Sequence, residues 1–253
     1  MPAMISTQYI SRISLLREKV DSFDRYPFCL PAVRSFESLT PHPKVTFLIG
    51  ENGSGKSTFL EAVAVSMGFN PEGGSKNFNF GTRNSHSNLA DYLRIAKGVR
   101  RPKNGFFLRA ESFFNVATEI ENLDEEPGPG AQIISSYGGR SLHEQSHGES
   151  FLSLLMNRFG GKGLYLLDEP EAALSPQRQL AALARIHDLA SDDSQFIIAT
   201  HSPILMAYPD AAIYHFHADG VSQVAYEDTE HYQVMRSFLM NPRRVLDTLL
   251  GRE

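Results

Sequence analysis

The run "KVTFLIG", Lys44 to Gly50, is β-branched and apolar, and it breaks directly into "ENGSGKST", after which Phe59, Leu60, Val63, Ala64 and Met67 recur at helical spacing. Strand, glycine turn and helix in that order match G-x-x-x-x-G-K-[ST] through Gly50, Gly55, Lys56 and Ser57, in the context this pattern requires. Glycines let the backbone curl until its N–H groups, here those around Asn52, Gly53, Ser54, Gly55 and Thr58, point inward at phosphate oxygens. The helix N-terminus adds positive potential at the same place. Lys56 is then expected to contact the β and γ phosphates, and the Ser57 hydroxyl to be one ligand of Mg2+.

Further along the chain, strands alternate with helices. A helix is expected from about Leu89 to Lys97, a strand at "NGFFLRAE", and a helix at "SFFNVATEIENL" with Ser112 as its N-cap. "DEEPGPGAQ" breaks the pattern, and a helix then runs to about Phe159, closed by Gly160 and Gly161. "GLYLLDEP" and "QFIIATHSP" read as buried strands flanking a helix that starts at Ser175-Pro176. Two short strands, "AAIYHFH" and "VSQVAY", precede a helical tail from about Thr229. The expected fold class is α/β, with a mostly parallel central sheet flanked by helices. The 253 residues read as one domain with an insertion over about 69–145 and a C-terminal helical tail over about 229–253.

Bulk properties narrow the function classes. A net charge of -5 argues against a wholesale basic coat for nucleic acid, although Arg94, Lys97, Arg100, Arg101, Lys103 and Arg109 form a local run with no acidic residue between them. That run reads either as a solvated face or as a polyanion contact. The single cysteine, Cys29, precludes an intramolecular disulfide, and no Cys/His cluster has zinc spacing. No apolar run reaches the ~20 residues of a membrane span, so no membrane insertion and a cytoplasmic setting are expected.

Two strand ends carry chemistry. "LYLLDEP" delivers Asp168 and Glu169 to the carboxyl end of a buried strand, where open α/β sheets bind ligands. Asp168 is the expected second Mg2+ holder, and Glu169 the residue that polarises an attacking water. "FIIATHS" brings Thr200 and His201 out at the same edge, where His201 suits a γ-phosphate contact. "QSHGESFLSLL" places Ser146 at a helix start, with Gly148 allowing close approach of an anion to the first-turn N–H groups. A serine-hydrolase elbow needs G-x-S-x-G on a strand-to-helix turn, and "GESFL" around Ser150 lacks the second glycine.

Taken together these residues resemble the ATP-binding cassette (ABC) class of P-loop ATPases, and more narrowly the compact bacterial AAA-type ATPases whose cassette is of the ABC kind. "GENGSGKST" looks like Walker A, "LYLLDEP" like Walker B with its catalytic glutamate, "EAALSP" like the D-loop, "ATHSP" like the switch histidine and "QSHGE" like the signature. The resemblance implies ATP and Mg2+ as cofactors, with Glu169, His201 and Lys56 catalytic. It also implies that Ser146, Gly148 and Glu149 touch ATP held by another subunit in an ATP-dependent head-to-tail homodimer. Departures are His147 and Gln145 in the signature and Ser175 in place of a D-loop aspartate. Glu111 stands where a Q-loop glutamine is expected, either as a metal ligand or as a helix-start acid, and Arg109 is a rival for a phosphate contact. Tyr26 or Phe28 is the candidate for stacking on adenine. The segment between Walker A and the signature, under about 100 residues, is too short for the long arms of chromosome-maintenance ATPases. Nucleic acid through Arg94–Arg109, a partner protein in a nucleotide-dependent switch, and a membrane transporter remain as the uses of such a cycle.

Overall fold

The computed structural model describes residues 8–76, 87–109, 118, 147–172 and 174–252. In chain order its elements are β1 (Ile10–Leu15), α1 (Pro31–Arg34), β2 (Ser38–Leu39), β3 (Val45–Gly50), α2 (Lys56–Ser66), β4 (Leu93–Lys97) and β5 (Asn104–Arg109). There follow α3 (His147–Ser153), β6 (Gly163–Asp168), α4 (Pro176–Ser191), β7 (Gln195–Ala199), α5 (Pro203–Met206), β8 (Ala212–His217), β9 (Gly220–Val224), α6 (Glu230–Met240) and α7 (Pro242–Leu250). One sheet has the order β5-β6-β7-β3-β8-β9, parallel except for the edge strand β9. A smaller antiparallel sheet has the order β2-β1-β4.

Every residue of β3, β6 and β7 is buried, as expected of parallel strands covered on both faces. Alternation along each strand divides the core. Phe47, Ile49, Leu167, Phe196 and Ile198 face a layer built from Phe151, Leu154, Phe159, Ile186 and Leu189. Leu48, Leu166 and Ile197 face the opposite layer, which holds Phe59, Leu60 and Val63 of α2 together with Ile10 and Ile13 of β1. α4 is started by Ser175, whose hydroxyl accepts from the Arg178 N–H, with Pro176 at its first position. Register then aligns the carboxyl ends: Asp168 lies opposite Ala199, and Leu48 of β3 opposite the same Ala199.

One reading of the sequence is corrected. Leu89–Lys97 is not a helix: a 3-10 turn over Asn88–Tyr92 passes into β4, which pairs antiparallel with β1. Leu93 and Ile95 face inward between exposed Arg94 and Ala96, a two-residue alternation too short to be told from a helical face without its partner strand. β1 itself lies ahead of the first element expected from sequence. The helix expected at "SFFNVATEIENL", with Ser112 as its cap, and most of the 69–145 insertion fall outside the described residues, although Thr118 is helical.

Candidate functional site

The phosphate loop leaves β3 at Gly50, whose φ of 142° and closeness to the Phe216 carbonyl of β8 leave no room for a side chain. Gly55 caps α2 at φ 98°. The loop curls around the Lys56 ammonium, which donates to the carbonyl oxygens of Gly50 at 2.7 Å and Glu51 at 2.8 Å. Lys56 is buried, and burial pulls its pKa down while the carboxylates of Glu169, Asp168 and Glu171 oppose that shift. One residue on, Ser57 Oγ donates to Asp168 Oδ1 at 2.9 Å, joining the loop to the end of β6. A cavity of about 230 Å³ beside the loop is lined by Asn52, Gly53, Gly55, Lys56, Ser57, Thr58, Glu169 and, on its outer side, Tyr26.

Glu169 follows Asp168 with φ 49°, in the left-handed region, its N–H bonded to the Ala199 carbonyl of β7 at 2.9 Å. This turn leaves the Glu169 carboxylate partly exposed, with Oε1 3.8 Å from His201 Nε2. Two residues later, Glu171 Oε1 accepts the His201 backbone N–H at 2.6 Å. Burial pushes the Glu171 carboxyl up, offset in part by the hydrogen bonds from the His201 N–H, its own N–H and the Thr200 hydroxyl. A second, larger cavity of about 750 Å³ opens between Gly50–Asn52, Glu169 and His201 on one side and His215, Glu230, His231, Val234 and Met235 on the other. The expected residues Gly50, Asn52, Lys56, Ser57, Asp168, Glu169 and His201 thus meet at one sheet edge.

Other expectations separate. Gly148 is buried at the start of α3, and Glu149 Oε1 faces Arg178 of α4 at 3.1 Å; neither lines either cavity. Ser146 and Glu111 lie outside the described residues. Phe28 is corrected as an adenine platform, because it packs in the core edge-on to Tyr92 at 4.7 Å. Tyr26 is 62% exposed and its hydroxyl lies 3.3 Å from Thr58 Oγ1, beside the loop. Arg109 is engaged elsewhere, paired with Glu61 of α2 at 2.6 Å and directed at the Pro71 carbonyl. The Arg94–Arg109 run is therefore not one patch: Arg100 pairs with Asp193, while Arg94, Lys97, Arg101 and Lys103 are exposed on β4 and the β4–β5 connection. That connection precedes β5 and lies at the amino ends of the parallel strands, away from the phosphate loop.

Sequence reasoning missed Glu171, His215 and His231. Glu171 carries a readable signal, a third carboxylate two residues after Glu169, whereas the two histidines reach the site only through tertiary packing of β8 and α6. Among the described residues no helix is long and apolar enough to cross a membrane.

Residues 136–207 match the family described as "AAA domain, putative AbiEii toxin, Type IV TA system", and residues 29–147 match the family described as "AAA domain". The "ABC transporter G family member STR2" of Medicago truncatula is 26% identical over 176 residues, which is 64% of this chain and 24% of that protein. The chain thus spans about a quarter of the length of the curated relative it matches. Among solved structures, an ATP-binding cassette of an ABC transporter superposes with a TM-score of 0.52 at 16% identity, covering 91% of this chain and 96% of the other. The SMC head domain from Thermotoga maritima gives a TM-score of 0.42 at 15% identity, covering 85% and 98%. The two partial family matches are to AAA domains, and the superposition shows the P-loop α/β fold of an ATP-binding cassette.

Proposed function

We propose that this chain, with its P-loop ATPase fold of the ABC type, binds ATP with Mg2+ and hydrolyses it. The observation that carries the reading is the bond from Ser57 Oγ to Asp168 Oδ1 at 2.9 Å, set between the buried Lys56 ammonium and the Glu169 carboxylate. These two oxygens fit Mg2+, a hard cation that takes one or two protein ligands and fills its shell with water and substrate phosphates. No group of three or more His, Cys, Asp or Glu side chains among the described residues suggests a self-contained metal cage instead. When bound, Mg2+ supplies positive charge to the phosphate oxygens.

The chain's own groups then divide the work. Backbone N–H groups of the loop hold the phosphates, and Lys56 adds a fixed positive charge beside them. Glu169, at the rim of the cavity, accepts a proton from the attacking water, and His201 lies across from it as a phosphate contact. Two chains closing head to tail on two ATP molecules would let Gly148, Glu149 and Ser146 meet the partner's nucleotide. In support, Glu149 is exposed at the start of α3. Closure and reopening then turn phosphate chemistry into motion. Mg-ATP hydrolysis by the purified chain, with Lys56→Ala and Glu169→Gln as controls, tests the chemistry. Glu169→Gln should also shift to a dimer on sizing with ATP, and a monomer under that condition would count against the sandwich.

The motion serves nucleic-acid or defence-type work in our reading, supported by exposed Arg94, Lys97, Arg101 and Lys103. A switch acting on a partner protein is the alternative, favoured by the exposed apolar side chains Val234, Leu239 and Met240 of α6 and Leu249 and Leu250 of α7. A role as the ATPase part of a transporter rests on the names of the curated relative and of the superposed cassette. Stimulation by DNA or RNA that disappears at high salt separates the first reading from the other two.

A further inference from the structure

α6 carries to the site a residue that none of the motifs contains. His231 lies beside His201, with ring centroids 5.5 Å apart and His201 Nδ1 3.3 Å from His231 Nε2. The other nitrogen of each ring, His201 Nε2 and His231 Nδ1, is buried with no hydrogen-bond partner, and His201 Nε2 lies 3.8 Å from Glu169 Oε1. The placement of His231 is firm. Thr229 caps α6 by accepting the Tyr232 N–H and donates its own hydroxyl to the Tyr226 carbonyl at 2.7 Å. The Tyr226 hydroxyl in turn donates to the carbonyl of Pro203, two residues after His201, at 2.9 Å.

One proton sits between the two facing nitrogens, and its owner decides what His201 offers the nucleotide. With the proton on His201 Nδ1, His201 Nε2 would point a bare lone pair at the Glu169 carboxylate. His231 would then carry its proton on Nδ1, a buried donor with no acceptor. With the proton on His231 Nε2, His201 carries its own proton on Nε2, facing Glu169, and the only loss is an unprotonated His231 Nδ1. Burial and the neighbouring His201 also keep His231 from taking a second proton.

We propose that His231 is a positioning residue: by donating from Nε2 to His201 Nδ1 it holds His201 in the Nε2–H tautomer, ready to donate to the terminal phosphate. The phosphate half of this assignment rests on the proposed ATPase function, whereas the tautomer does not. Long-range proton–nitrogen NMR of the histidine rings reads the tautomer directly, with His201→Gln and His231→Gln supplying the assignments. The expected result is an Nε2–H ring at His201 in the wild type and a shift toward Nδ1–H in His231→Phe. In turnover, His231→Phe should lower kcat by about 10-fold with the KM for ATP within about two-fold, an effect of the size seen when an orienting partner is removed. His231→Gln, which keeps an N–H donor at similar reach, should recover most of it. An Nδ1–H ring at His201 in the wild type, a tautomer indifferent to His231→Phe, or a His231→Gln as slow as His231→Phe would overturn the proposal. A wild type with the expected tautomer and no ATP hydrolysis would overturn the proposed function and leave the His231–His201 arrangement standing.

Discussion

Glu169 is held in a backbone conformation that its side chain disfavours, so its replacement by glycine should stabilise the fold while destroying activity. Its φ is 49°, fixed by the N–H bond to Ala199 across β7. An L-residue in the left-handed region costs roughly 1–2 kcal/mol, and glycine escapes that cost but brings about 0.5–1 kcal/mol of extra freedom to the unfolded chain. The net expectation is that Glu169→Gly exceeds Glu169→Gln in stability by about 0.5–1 kcal/mol. The side chain itself contributes little to the comparison: it is 40% exposed, and its contact with His201 is 3.8 Å long. In a chain of this size that difference raises Tm by roughly 1–4 °C. Both variants should lose about 10²- to 10⁴-fold in turnover, the share a general base supplies. Urea and thermal unfolding of the two variants side by side, with ATP hydrolysis measured on the same preparations, test both halves. A glycine variant less stable than the glutamine variant would refute the strained turn, and full turnover in either would refute Glu169 as the base.

Three further outcomes follow from the same geometry. Because burial raises the Glu171 carboxyl above its ordinary 4.5, the folded state binds its proton more tightly. Its stabilising contribution is therefore complete below about pH 4.5 and is lost as pH climbs through the folded pKa, so Glu171→Gln should flatten that decline. Urea unfolding of wild type and variant at each pH checks this. Ser57→Ala should raise the Mg2+ concentration needed for half-maximal ATP hydrolysis by at least about 10-fold, measured by metal titration, since it removes one of two protein oxygens offered to the ion. Arg109→Met should destabilise the fold in urea unfolding, because it removes the 2.6 Å ion pair to Glu61, which is 8% exposed; the KM for ATP should be unchanged in the protein that remains folded.

How much of this was legible in the sequence depended on whether a residue's surroundings are set by its chain neighbours. β3, β6 and β7 are buried on both faces, so their composition alone announces them; β3 ends in Gly50, β6 in Asp168, and Thr200 directly follows the end of β7. The sheet then converts three separate motifs into one site, because parallel register puts those termini side by side. β1 and β4 gave no such signal. Their half-exposed alternation becomes a sheet only through pairing between residues about 80 positions apart, as in Ser14 opposite Arg94. Arg109 misled for a related reason, since its position at a strand end suggested phosphate, while the acid that claims it lies 48 residues earlier in α2. His231 is the most instructive case. Its own segment "TEHYQV" reads as an ordinary helix start, and its meaning comes from α6 folding back over the edge where β7 ends. Motifs therefore named the groups proposed to touch the phosphates, and packing was needed to find the group proposed to orient one of them. A site of this kind can keep all its motifs and still lose function through a residue outside them.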